Sequence, residues 1–369
     1  MKTFETLISK TTIPIVLSSD NNYTPFLYTT MLSVLKSANK NTFYDFYLIV
    51  TPNFSSKNKE QINKLKEEFD CNINFIDIED QFNNLPWTPA AWYRLILAKL
   101  LPKQYDKCIY LDCDVYVCND LKQLYTVELN ENYVAGVIAC TYYVYADKMH
   151  SNILNIPSTK KYINSGVLLV NLKQIRNDNI TSRFFELLNS SRVLPAYDQD
   201  VINIVCYGKI KILPPKYNMI LRHVFINDIR LNDLYSKEEI KEAKTNPCII
   251  HYMCEQKPWQ GFYKYGSLWW KLALKTPYKF YFIFTFIKSL LNPIPKIKNI
   301  IKGFIPKSIK DNIKERIKFF VKTDVTRELE NNIIAVKKQL DEQEKEIKQL
   351  KEITAEQNKQ IEKLKSDIK

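Results

Sequence analysis

Asp112 and Asp114 stand one residue apart in the run Lys107-Cys-Ile-Tyr-Leu-Asp-Cys-Asp-Val-Tyr-Val117. The run is rich in β-branched and aromatic residues and reads as a buried strand. On a strand, residues i and i+2 share a face, so both carboxylates point one way and Cys113 the other. Two unpaired carboxylates are expensive to bury, which calls for a positive species between them. Hard divalent cations such as Mn2+ and Mg2+ take oxygen ligands and meet that need. A lone Asp-x-Asp reads equally well as two solvated aspartates at a strand end, so its weight depends on the rest of the chain.

The flanking elements place those carboxylates. Residues 13–18 form a short apolar strand candidate, and Ser19-Asp20-Asn21-Asn22-Tyr23 supplies turn chemistry. Residues 23–37 show helical spacing, 43–50 a second strand, 57–69 a polar-faced helix and 73–78 a third strand. A helix over 90–101, stopped by Pro102, leads into the Asp112 strand. Strands alternating with helices of this length predict an α/β fold with a largely parallel sheet. Ligands of such sheets bind at the carboxyl ends of strands, where both Asp20 and the Asp112/Asp114 pair fall. Further strands are predicted over 133–139, 162–170 and 247–252, with helices over 172–188 and 198–206. The last of these helices carries Asp198-Gln199-Asp200 in its first turn.

At 369 residues and 46% hydrophobic, the chain is long enough for one large core or two ordinary ones. Residues 1–12 are short, mixed and polar, with no apolar run of signal-peptide type. The eight cysteines contain no C-x-x-C pair, and several lie inside apolar runs, which favours a reducing cytoplasm over a disulfide framework. Only 6 glycines count against a phosphate-cradling glycine loop. The formal charge of +13 is localised: residues 275–322 carry twelve basic side chains against Asp311 and Glu315. That segment opens with the aromatic stretch 278–291, too short and too charged to span a bilayer. Its alternation of Lys with Ile or Phe fits a segment lying in the interface of an anionic membrane; a helix packed on the domain with a solvated basic face is the other reading. From residue 326 the composition changes. Ile333, Leu340, Ile347, Thr354, Ile361 and Ile368 recur every seven residues, with Val336, Gln343, Leu350, Gln357 and Leu364 three further on. These are a and d positions of a coiled coil, which makes the chain a candidate homo-oligomer through 326–369.

Six motifs occur in order: Asp20-Asn-Asn22-Tyr23, Tyr93-Arg94-Leu95, Tyr110-Leu-Asp112-Cys-Asp114, Asn164-Ser-Gly166-Val-Leu-Leu-Val, Asp198-Gln199-Asp200, and His251 followed by Lys257-Pro-Trp259. In this set the chain resembles the family 8 glycosyltransferases, notably bacterial lipopolysaccharide galactosyl- and glucosyltransferases, from residue 13 to about 270. The resemblance implies a GT-A fold over residues 12–274; the basic aromatic segment 275–325 and the coiled coil 326–369, read from composition and heptad spacing, lie beyond it. It further implies a UDP-sugar donor, Mn2+ (with Mg2+ as the alternative) and transfer with retention of anomeric configuration. By the same resemblance Asp112, Asp114 and His251 hold the metal. Ser18, Asp20, Asn22, Tyr23, Asp112, Cys113, Cys254 and Lys257 surround the UDP, and Tyr23 stacks on the uracil. Arg94, Asn164, Asp198 and Gln199 bind the donor sugar.

The chemistry agrees with those assignments. Departure of UDP builds negative charge on the β-phosphate, which a Lewis acid and the Lys257 ammonium are suited to offset. A histidine nitrogen in the ligand set favours Mn2+. Retention commonly runs through a carboxylate nucleophile. The amide of Gln199 is a poor one, so front-face departure and attack is expected, with Gln199 and Asp198 supporting the cationic sugar. The chain departs from the family pattern at Cys254, where relatives commonly carry Gly, and around Ala139-Cys140-Thr141, where some carry Asp.

The expected function is hexose transfer, glucose or galactose, to a lipid-linked or lipopolysaccharide glycan acceptor, with the protein peripheral on the inner face of the plasma membrane. A catalytically weakened membrane scaffold of the same fold is the alternative should Cys254 close the donor site. A nucleotidyltransferase would need a glycine-rich loop after the first strand. A nucleic-acid partner is disfavoured because the basic residues belong to no binding module.

Overall fold

The computed structural model describes residues 10–78, 89–139, 147–220, 229–253, 257–260 and 265–291. The chain divides into two units, Met1–Leu291 and Asn292–Lys369, and the described residues all belong to the first. The heptads of 326–369, the basic run beyond 291, Cys140 and Cys254 lie outside the described residues.

Ten strands are present among the described residues: β1 (Thr11–Ser19), β2 (Thr42–Val50), β3 (Cys71–Asp77), β4 (Lys107–Leu111), β5 (Val115–Val117), β6 (Val134–Gly136), β7 (Val167–Asn171), β8 (Ile210–Ile212), β9 (Met219–Ile220) and β10 (Ile249–His251). Seven form a large sheet in the order β3-β2-β1-β4-β7-β6-β8, and three a small one, β5-β10-β9. β1 pairs in parallel with β2 and β4, β2 with β3, and β6 with β8. β7 alone runs antiparallel, between β4 and β6.

Both faces of the large sheet are covered, and the strand period of two assigns each residue to one cover. Ile13, Ile15 and Leu17 of β1, Phe46 and Leu48 of β2, and Ile109 and Leu111 of β4 enter one buried cluster. Val16, Ile49 and Tyr110 enter the other. Pro14 is tolerated in this central strand because β4 reaches only Ile15 and Val16.

The expected strand over 107–117 is interrupted. β4 ends at Leu111, Asp112-Cys113-Asp114 turns, and β5 joins the small sheet by pairing antiparallel with β10. Thr30, on the Thr24–Ser37 helix, explains the turn: its hydroxyl serves the carbonyls of Cys113 and Val115, at 2.9 and 3.0 Å. The predicted 90–101 helix is likewise segmented, into Pro89–Trp92, a 3-10 turn at Tyr93–Leu95, and Leu97–Leu100. There the Ala91 carbonyl accepts from Arg94's own Nε at 2.9 Å. The 172–188 helix divides at Asp178–Asn179, where Asn179 takes a left-handed φ of 49°.

Helix Lys279–Leu291 follows the Gly266–Ala273 helix. Phe282 is fully buried, its ring 4.7 Å from Trp269 and 5.6 Å from Phe26, while Phe280, Tyr281, Ile283 and Phe284 are exposed. No helix among the described residues is long and apolar enough to cross a membrane.

Candidate active site

Parallel pairing of β1 and β4 brings Ser18–Asp20 and Asp112 to one edge of the sheet. Asp114 immediately precedes β5, whose first residue, Val115, stands opposite His251. The connection entering β7 supplies Asn164-Ser165-Gly166, with the Asp112 N–H donating to the Gly166 carbonyl at 2.8 Å. The centre therefore sits at the seam between the two sheets.

One ligand atom each from Asp112, Asp114 and His251 lie within 4.8 Å of one another. His251 Nε2 is 3.2 Å from Asp114 Oδ1, a buried oxygen that accepts no hydrogen bond. The other Asp114 oxygen accepts from Lys257 Nζ. Burial by itself would raise the Asp114 carboxyl; the Lys257 ammonium and His251 outweigh it and hold the group well below the usual carboxylate range. Gly166 packs directly against these donors: a Cβ there would lie 2.4 Å from His251 Cε1 and 2.6 Å from Asp112 Oδ2, so a side chain at this position would displace them. Two carboxylates and an imidazole nitrogen within 4.8 Å of one another, one carboxylate oxygen buried and without a hydrogen bond, fit a divalent cation.

Arg94 closes the neighbouring wall. Its guanidinium, 7% exposed, donates to Asp112 Oδ1 at 2.8 Å and to the Ser165 carbonyl at 2.7 Å, and its Nε lies 3.1 Å from Asp198 Oδ2. The Tyr110 ring lies 4.6 Å from Arg94 Cζ. Burial pulls the Arg94 pKa down, but Asp112, Asp198 and Tyr110 more than compensate and the net shift is upward. Burial raises the Asp198 carboxyl, and Arg94 only partly offsets it. Arg94, expected on donor oxygens, donates in this structure to Ala91, Ser165 and Asp112 and lies against Asp198.

Gln199 Oε1 accepts from Asn164 Nδ2 at 3.0 Å and from the Ser165 N–H at 3.2 Å. Its Nε2 donates to the Tyr162 hydroxyl at 3.2 Å, and that hydroxyl donates to Asp200 at 2.5 Å. Tyr197, preceding Asp198, has φ 52° and ψ −123°, a strained backbone for a bulky residue at the point where the two site side chains are aimed.

On the nucleotide side, Ser18 Oγ meets the Tyr110 hydroxyl at 2.8 Å, and that hydroxyl donates to Asp112 Oδ1 at 3.1 Å. Asp20 Oδ1 accepts the Tyr23 N–H at 2.8 Å. Tyr23 is 42% exposed, with its ring 4.9 Å from Phe26. Its phenol is raised by burial and then by nearby Asp114, Cys113, Asp112 and Asp20, which puts the exposed ring beside the acidic cluster. Cys113 turns the other way, its thiol donating to the Ser18 carbonyl at 3.3 Å. Asn22 is exposed, while Cys254 lies outside the described residues.

The sequence-predicted residues Asp112, Asp114, His251, Lys257, Arg94, Asp198, Asn164 and Gln199 thus share one contact network. Sequence reasoning missed Asn218, Tyr162, Ser165 and the steric role of Gly166. Asn218 follows a Pro-Pro turn with no motif around it, whereas Gly166 lay inside a recognised motif whose reason becomes visible only when a Cβ is placed.

The sequence profile of Glycosyl transferase family 8 matches residues 14–262. A putative glycosyltransferase of Haemophilus influenzae is 29% identical over 257 residues, 67% of this chain and 73% of that protein. The lipopolysaccharide 1,3-galactosyltransferase of Salmonella typhimurium is 25% identical over 262 residues, 67% of this chain and 72% of its own. Among solved structures, the galactosyltransferase LgtC in complex with donor and acceptor sugar analogues superposes with a TM-score of 0.60 at 22% identity, covering 72% of this chain and 96% of that one. The apo bifunctional glycosyltransferase WbbM gives 0.64 at 22% identity; 74% of this chain is covered, and 51% of WbbM. At these identities the structural likeness speaks for the GT-A fold, and the profile speaks for descent. Because the profile match runs through Asp112, Asn164 and His251 and covers most of the chain, the chain belongs to glycosyl transferase family 8.

Proposed function

We propose that this glycosyltransferase moves a hexose, glucose or galactose, from a UDP-sugar to a glycan acceptor of cell-surface polysaccharide or lipopolysaccharide synthesis, with retention of configuration and with Mn2+ or Mg2+. The observation that carries this reading is the convergence of Asp112, Asp114 and His251 within 4.8 Å beside the buried Arg94–Asp198 pair and Gln199.

A divalent cation held by Asp112, Asp114 and His251 supplies Lewis-acid stabilisation of the charge that grows on the departing diphosphate. Lys257, already on Asp114, adds a positive charge to the same region. Tyr23 offers its exposed face to the uracil, an aromatic platform open to any base. Asp198 lends negative charge to the sugar as its anomeric carbon becomes cationic. Gln199, whose oxygen accepts two hydrogen bonds and whose Nε2 donates to Tyr162, offers no nucleophilic carboxylate, in keeping with front-face departure and attack. The acceptor hydroxyl proton passes to a UDP oxygen.

The lipopolysaccharide enzymes among the relatives support a glycan acceptor of that class, and the exposed aromatics of the Lys279–Leu291 helix support attachment to an anionic membrane surface. In this arrangement the catalytic unit works at the inner face of the plasma membrane, and 326–369 gathers copies as a coiled coil.

Calorimetric titration of UDP with and without Mn2+ tests the donor site on the wild type, Asp114→Ala and His251→Ala. Metal-dependent binding in the wild type, lost in both variants, is the expected result, followed by a screen of UDP-sugars and NMR assignment of the product anomer. Wild-type protein that binds UDP equally well without metal would overturn the metal role, and an inverted product would overturn retention.

A further inference from the structure

We propose that Asn218 is a positioning residue that fixes the hydrogen-bond sense of the site, turning the unprotonated Nε2 of His251 toward Asp112 and Asp114 and, through Asn164, holding the Gln199 amide nitrogen toward Tyr162. The proposal rests on the metal-dependent transfer described above.

Amide side chains and histidine tautomers have two orientations each, and only a donor of fixed sense decides between them. Backbone N–H groups are such donors, and they anchor this network at three points. The Gly166 N–H donates to one end of Asn164 at 3.0 Å, so that end is the oxygen. The Ser165 N–H lies 3.2 Å from one end of Gln199, so that end is also oxygen, and Asn164 Nδ2 donates to it at 3.0 Å. The Ala196 N–H donates to Asp200 at 2.6 Å, and the other Asp200 oxygen takes the Tyr162 proton. That leaves the Tyr162 oxygen to accept from Gln199 Nε2. The senses assigned from the separate anchors agree where they meet.

Asn218 extends the same logic to the metal ligand. Its atom 2.8 Å from Asn164 Oδ1 faces an oxygen that already accepts from Gly166, so it is Nδ2. Its Oδ1 then lies 3.0 Å from His251 Nδ1, and an oxygen that can only accept requires the ring proton there. In the neutral ring, Nε2 is left with its lone pair, the form a metal ligand needs. Asn218, Asn164 and His251 are all nearly inaccessible, so water cannot replace a lost partner. A single buried amide therefore ties the cation-binding imidazole to the residues facing the sugar.

Two variants separate the two arms. Asn218→Asp keeps an acceptor for His251 Nδ1–H but sets an oxygen against Asn164 Oδ1. Asn218→Leu, of similar size, removes both contacts. Nitrogen NMR of the wild type, at a pH where imidazole is neutral, reads the tautomer directly; the chain has only 3 histidines, and His251→Ala assigns the signal. The expected result is Nδ1–H with Nε2 unprotonated in the wild type, and a mixture in Asn218→Leu. Mn2+ affinity is expected to fall about 10–100-fold in Asn218→Leu and to be largely kept in Asn218→Asp, whose loss is in kcat for UDP-hexose. A wild-type His251 without a proton on Nδ1, or equal Mn2+ affinity in Asn218→Leu and wild type, would overturn the proposal. The tautomer measurement needs neither metal nor donor, so its failure is distinct from wild-type protein that binds no Mn2+, which would refute the metal-dependent function instead.

Discussion

Gly166 is where a single carbon decides the chemistry. A Cβ there would collide with His251 and Asp112 and push both ligands out of place. Gly166→Ala is expected to weaken Mn2+-dependent UDP binding about 10–100-fold while leaving the circular dichroism spectrum intact, read by calorimetry. Asp198 has the opposite signature, since its charge burdens the fold. A carboxyl raised in the folded state contributes stability that is present below the unfolded pKa and lost as pH climbs through the folded pKa. Asp198→Asn is therefore expected to abolish transfer yet melt no lower than wild type at neutral pH, with its advantage shrinking on acidification through the carboxylate range. Thermal melts across that range, paired with transfer assays, check both halves. At this scale the charged and motif-borne residues were legible because residue type and spacing already state their chemistry. Asn218 was not: an isolated asparagine acquires meaning only from a histidine 33 positions away and an asparagine 54 positions away.

The Lys279–Leu291 helix sorts its aromatics by face. Phe282→Ala empties a fully buried site against Trp269 and Phe26 and is expected to cost about 3–5 kcal/mol, visible as a large fall in melting temperature. Replacing exposed Phe280 and Phe284 by Ser is expected to leave melting unchanged and to weaken sedimentation with anionic vesicles, an effect that persists at raised salt because the loss is apolar. Unchanged vesicle binding in that double variant would remove the helix from the membrane reading. The sequence showed an aromatic run here without showing which ring was buried, since every position from Phe280 to Phe284 is apolar. The same limit applied at Asp112. A run of strand formers conceals a turn when the agent that bends it, the Thr30 hydroxyl, sits on another element.

For the whole molecule, the alternation of strands and helices revealed the large parallel sheet, because β1 and β2 each run nine residues and bury both faces. The small sheet stayed hidden although two of its strands were read, β10 within 247–252 and β5 as the end of 107–117: β9 is two residues long, below the length at which a period of two is readable, and nothing in the sequence pairs the three. Its ladder is correspondingly short, three pairs between β5 and β10 and two between β10 and β9. Short ladders open at lower free energy than long ones, so the amides of Tyr116 and Ile250 are expected to exchange with deuterium before those of β1 and β2. Asp112 follows the last residue of β4 in the large sheet, while Asp114 leads into β5 and His251 ends β10, the middle strand of the small one. A ligand that grips all three is a rivet across a joint. With UDP and Mn2+ at about a hundredfold above the dissociation constant, roughly 2.7 kcal/mol is added to any opening that parts the sheets. Exchange of the small sheet should then slow toward that of the large one, and the donor would become the element that makes two unequal sheets unfold as one.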